Sequence, residues 1–260
     1  MRNPGFADQP RFGIGRVLST AFAVLMRNFL PFVTVAIIIG IPLILLSYWE
    51  GQSAPAPQAA ANGARIGQFG VGLLITLLVS AVTQSALTFG TLQDLRGQRT
   101  GFGACIAGGF AVLPGVVPVA ILLSLAVLCG SILLIVPGLI LAVIWWVAIP
   151  VAVVERPGLT HSFGRSLALT GGRRWEIFGL LLIILAIQLV IGFVIAFVIS
   201  FIAGFVAAVG HTPVPNLRWV ASAAQVAAGT FTAVTTAVGY YYLRAEKEGV
   251  AIGDIAKVFD

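Results

Sequence analysis

The sequence predicts an all-α fold. The expected architecture is a polytopic membrane bundle of about six transmembrane helices in three hairpins, each preceded by a cytoplasmic, interfacial amphipathic helix. Three observations predict it. Asp, Glu, Lys and Arg are missing from residues 28–49, 66–93, 100–154, 177–217 and 219–243. The 260-residue chain is 59% hydrophobic and only 9% charged, whereas soluble domains carry about 25% charged residues. Its basic residues gather at span ends on one side. A charge at a helix centre in a bilayer costs roughly 2.5–3.5 kcal/mol, and about 20 apolar residues suffice to cross the hydrocarbon. One membrane domain therefore accounts for residues 1–260.

The first span is expected at residues 29–49. Pro31 stands near its start, where a missing amide donor does little harm, and Pro42 is internal and should kink it. Tyr48 and Trp49 suit the membrane interface. Residues 50–65, rich in Gln, Ser, Pro, Ala and Asn, read as an exposed loop. The second span is expected at 69–92. The uncharged run after Arg99 is too long for one crossing. Pro137-Gly138 should split it into a third span at 115–136 and a short, Pro150-containing fourth at 139–154. The fifth begins near Ile177 and can stay helical to Ala208, which outlasts a core about 30 Å thick. Gly210-His211-Thr212-Pro213 should end it. The sixth is expected at 219–242.

Six spans put both termini on one side. Of fifteen Lys and Arg residues, all but Arg65 and Arg218 fall on that side. The positive-inside rule then predicts cytoplasmic termini in a bacterial inner membrane. The N-terminus does not read as a cleaved signal, because its basic region is long and its apolar run exceeds the usual ~7–15 residues. The net charge of +6 comes from single or paired residues at span ends, which suits anionic lipid headgroups rather than nucleic acid.

The segment before the first span is amphipathic. Ile14, Val17, Leu18, Ala21, Phe22 and Leu25 share one helical face, and Arg16, Ser19, Thr20 and Arg27 the other, a pattern suited to the membrane interface. Phe22-Ala23-Val24-Leu25 recurs as Phe110-Ala111-Val112-Leu113, each with a glycine seven residues earlier (Gly15 and Gly103). Residues 160–170 form a third candidate, with Thr160 or Ser162 as cap and Gly171-Gly172 at its end. The chain parses as three units, each a short helix followed by a hairpin.

The segment His161-Ser162-Phe163-Gly164-Arg165-Ser166-Leu167-Ala168-Leu169-Thr170-Gly171-Gly172-Arg173-Arg174-Trp175-Glu176-Ile177-Phe178-Gly179 resembles a recurring segment of an uncharacterised bacterial family of six-span membrane proteins. Pro137-Gly138 with the apolar span ending at Glu155, and Tyr242-Leu243-Arg244-Ala245-Glu246-Lys247-Glu248-Gly249, are similar to the same family. It includes the membrane domain attached to some glycerophosphodiester phosphodiesterases. The resemblance implies a membrane domain. It does not imply phosphodiesterase activity, since the chain has no room for the barrel and no acidic metal-binding cluster.

No catalytic set, metal site or cofactor is expected. Cys105 and Cys129 read as small buried apolar residues, and His161 and His211 fall on opposite faces. Glu50, Glu155 and Glu176 read as solvated residues at span ends. Gly101-Phe102-Gly103 and Gly108-Gly109 read as flexible joints rather than phosphate loops. Two groups of binding candidates remain. Arg16, Arg27, Arg173, Arg174 and Trp175 suit either an acidic phospholipid headgroup or generic anchoring. Thr76, Ser80, Gln84 and Thr88, with Gln188 and with Gln225, Thr232 and Thr236, form uncharged polar stripes. They serve helix packing or line a polar cavity between the second and sixth spans. The expectation is a non-catalytic inner-membrane protein, not an enzyme, that binds lipid or organises a membrane partner or a second copy. The alternative is a transporter or permease for a lipid or small neutral solute.

Overall fold

The computed structural model describes residues 11–52, 58–98, 101–156, 158–209 and 217–248. The helices in order are α1 (Ile14–Arg27), α2 (Phe29–Gln52), α3 (Gln58–Leu95), α4 (Phe102–Ala111), α5 (Leu113–Leu133), α6 (Ile135–Ile144), α7 (Ala148–Glu155), α8 (Leu159–Thr170), α9 (Arg174–Val209) and α10 (Arg218–Glu248). No strand occurs among the described residues. Five stretches are long and apolar enough to cross a membrane: Phe29–Glu50, Gly70–Leu95, Leu113–Leu133, Ile135–Glu155 and Arg174–Val209. This is the make-up of a multi-pass membrane protein. The expected sixth span, residues 219–242, is helical but is not among the five.

α10 differs because its second half lies inside the bundle. It packs on α2, α3, α1 and α9, and twelve of the sixteen residues from Thr230 to Ala245 are buried. A helix wrapped by other helices does not face lipid, so its side chains can be Thr, Ala, Ser and Gly. Gly239 allows a close approach: a Cβ there would collide with the Trp146 ring.

Several boundaries depart from the sequence reading. The helical hairpin turns at Leu134, which is extended (φ −161°, ψ 140°), and not at Pro137-Gly138. Pro137 lies in the first turn of α6, where a proline forfeits no helical hydrogen bond. α6 and α7 are separated by a turn at Trp145-Trp146-Val147, so the fourth span is broken. Much of the expected loop at 50–65 is helix, since α2 runs to Gln52 and α3 begins at Gln58. The Ala59-Ala60-Ala61 run explains this, because alanine has the strongest helix propensity. α2 continues through Pro42. The stop expected at 210–213 lies outside the described residues, and His211 with it.

The short helices also sit differently from expectation. α1 buries Val17, Ala21, Val24 and Leu25 against α10, so much of its apolar stripe faces protein. α4 stays helical through Gly103, Gly108 and Gly109, which read as flexible joints, and Gly109 lets it lie directly on α3. A Cβ on Gly109 would come within 2.8 Å of the Ala86 backbone. In α8 neither Thr160 nor Ser162 caps the start. Ser162 Oγ instead donates back to the Gly158 carbonyl at 2.8 Å. Ser166 and Thr170 hydroxyls donate to the Ile144 carbonyl at 3.0 and 3.1 Å. Those two bonds satisfy a carbonyl set loose by the α6–α7 break.

Candidate functional site

Two polar regions organise the molecule. The first is a charged cluster around the last turns of α10. Glu155, at the end of α7, accepts Arg165 Nε at 3.2 and 2.9 Å and the Tyr240 hydroxyl at 2.9 Å. Arg244 donates to the Tyr240 hydroxyl at 3.1 Å and to Glu248 at 2.8 Å. Arg165 pairs with Glu248 and closes the ring. Beside it, Glu246 accepts Arg173 Nη2 at 2.5 Å and the Phe12 amide at 2.8 Å. Burial acts to raise the Glu246 pKa, but the bonds from Arg173 and Phe12 prevail and hold it below the usual carboxylate range.

This cluster corrects the reading of Glu155 as solvated. Its side chain is only 15% exposed, because α8 and α10 close over the end of α7. Glu176 is half-exposed and held by Arg173 at 2.5 Å, while Glu50 is exposed as expected. The sequence signal for the ring was present in Arg244, Glu246 and Glu248 following a buried tyrosine. Their partners are too distant in sequence to be inferred from spacing. Arg27 is likewise committed, to Asp94 at 2.7 Å, and Asn28 donates to the same carboxylate at 2.8 Å. Of the headgroup candidates, Arg27 and Arg173 are therefore tied to carboxylates. Arg16, Arg174 and Trp175 are exposed.

The second region is uncharged. Thr76, Ser80, Thr83 and Gln84 of α3 meet Gln225, Gly229 and Thr232 of α10 around a cleft of ≈ 290 Å³, with Leu43 of α2 in its wall. Five sequence-predicted residues, Thr76, Ser80, Gln84, Gln225 and Thr232, thus share one cavity. Gln188 of α9 donates to Thr232 Oγ1 at 2.8 Å and to the Ala228 carbonyl at 3.2 Å. Thr76 and Ser80 hydroxyls bond back to their own helix, at 2.8 and 2.9 Å. Thr88 and Thr236 are buried and do not line the cleft. Thr83 was missed, because it falls outside the four-residue spacing of Thr76, Ser80, Gln84 and Thr88.

What the cleft can do follows from what is unpaired. The amides of Gln84 and Gln225 and the Thr83 hydroxyl make no hydrogen bond among the described residues. Thr232 accepts from Gln188 and keeps a proton to donate. These groups can serve a neutral polar ligand. No ionisable residue lines the cleft. Among the described residues no cluster of three His, Cys, Asp or Glu could hold a metal. Both cysteines are free thiols; Cys105 is buried as expected, whereas Cys129 is exposed, because it lies on an outward face of α5.

Comparisons with known protein families, with curated proteins and with solved structures return no match.

Proposed function

We propose that the chain is a non-catalytic integral membrane protein that binds lipid, with the uncharged polar part of the lipid held in the α3–α10 cleft. The observation that carries this reading is the convergence of the unpaired Gln84, Gln225 and Thr83 groups on one open cavity. Unsatisfied amides facing a cleft favour a ligand that bonds them. The proposed setting is a bacterial inner membrane with both termini cytoplasmic, and α10 as a sixth, protein-enclosed span. In the proposed layout α1, α4 and α8 each lead a hairpin in three related units.

Lipid extraction from the purified protein tests the reading. A lipid should co-purify in fixed ratio with the wild type, and Gln84→Leu with Gln225→Leu should reduce it severalfold. Unchanged retention in that double variant would reject cleft binding.

A second reading, transport of a lipid or neutral solute, is favoured by one further observation. The hydroxyls of Thr88 and Thr91, farther along α3, are buried without a hydrogen-bond partner, so polar groups continue past the cleft lining. Flux in proteoliposomes that Thr88→Val slows would support it, and absence of flux for every solute and lipid tried would leave binding as the function.

A further inference from the structure

The groove between α6 and the start of α9 shares no residue with the cleft. Val136, Leu139, Ile140 and Val143 of α6 face Phe178 of α9 across ≈ 440 Å³, with Arg174 and Trp175 also in the lining. That volume lies within the roughly 300–1,000 Å³ of small-molecule sites. We propose that this groove binds an anionic phospholipid, with its phosphate on Arg174 and an acyl chain along α6.

Charge complementarity at the groove selects the ligand. Arg173 and Arg174 are neighbours in sequence but differ in commitment. Arg173 is bonded to both Glu246 and Glu176 at 2.5 Å. Arg174 is exposed and makes no hydrogen bond or ion pair among the described residues. The carboxylate on its own helix turn, Glu176, is already matched by Arg173. A guanidinium left over beside an apolar groove suits a phosphate that carries hydrocarbon.

The surroundings exclude a free phosphate as the natural occupant. Apart from Arg174 and Trp175 the lining is wholly aliphatic or phenyl, and Leu139 and Ile140 are 43% and 51% exposed. Inorganic phosphate would leave that surface uncovered. Trp175 is 85% exposed and meets Phe178 edge-on at 6.0 Å. An indole placed so, apolar on its body and polar at its N–H, belongs at the headgroup level of a bilayer. This site rests on the bilayer reading above and on none of the cleft residues.

The full chain in nanodiscs of equal phosphatidylglycerol and phosphatidylcholine tests the proposal, with retained lipid counted by native mass spectrometry. Phosphatidylglycerol should be enriched on the wild type. Arg174→Gln should cut that enrichment about fivefold, the weight of one basic side chain at an anionic surface, and Arg174→Lys should keep most of it. Ile140→Trp, which fills the groove, should lower retention of both lipids. An unchanged thermal unfolding profile of Arg174→Gln confirms that the fold is intact. Equal enrichment on wild type and Arg174→Gln would overturn the site. So would loss of enrichment in Gln84→Leu with Gln225→Leu alone, which would put the anionic lipid in the cleft instead.

Discussion

α9 and α10 are consecutive helices of 36 and 31 residues, yet they follow opposite rules. α9 is the most apolar candidate span, and only Ile177, Leu180 and Ile184 of it are buried. Its Phe193, Phe197 and Phe201 rings stack along an exposed face. α10 carries Thr, Ser, Ala and Gly and is buried through most of its second half. In water the apolar helix would be the core and the polar one the surface. In hydrocarbon, lipid covers the apolar helix without penalty, and the polar helix must find partners among its neighbours. The difference teaches that here hydrophobicity alone does not mark the interior, and that a polar helix can be part of it.

The same enlargement on the two helices gives the sharpest contrast. Ala237→Trp on α10, at a fully buried position, should destabilise by about 3 kcal/mol or more through overpacking. Ala196→Trp on the exposed face of α9 should change stability by less than about 0.5 kcal/mol. Thermal unfolding in detergent measures both, and equal effects would break the comparison. Next in size is Glu155→Ala, which strips the α10 ring of a shared acceptor. It should cost about 2 kcal/mol, between the ~0–1 of an exposed pair and the ~3–5 of a buried one. A double-mutant cycle with Arg165→Ala should be strongly non-additive. Gly239→Ala should cost about 1–3 kcal/mol against the Trp146 ring, with part recovered in a background of Trp146→Phe.

Two smaller effects refine the picture. Glu246 has its native pKa lowered, so its contribution to stability is present above the ordinary glutamate value of about 4.3. It is lost as the pH falls through the lowered native value. Unfolding temperature should therefore drop on acidification below about pH 4, and less so in Glu246→Gln. Gln188→Leu removes both hydrogen bonds that this α9 side chain makes to α10, to Thr232 and to the Ala228 carbonyl. It should cost about 1.2 kcal/mol, at the average of about 0.6 for each bond of this kind in membrane helices.

The positions of α2, α3, α5 and α9 were legible because each needs only length and apolarity. Three- and four-residue spacing puts side chains on one helical face, which is how Thr76, Ser80 and Gln84 of α3 and Gln225, Gly229 and Thr232 of α10 come to line one cleft, while Thr88 and Thr236 are buried away from it. The break at Trp145-Trp146-Val147 was not legible. It depends on Ser166 and Thr170 reaching the Ile144 carbonyl from a helix placed only by the tertiary fold. Nor could spacing tell that Arg173 is committed while Arg174 is not. That distinction is set by Glu246, 73 residues away.

The bond from the Phe12 amide to Glu246 has a consequence for biosynthesis. The two residues are 234 positions apart, so the clasp cannot form until α10 has left the ribosome. Until then the leading segment lacks this tether, and α1 has no α10 to rest upon. Docking of α1 thus waits on α10, and the clasp is a late step in building the bundle.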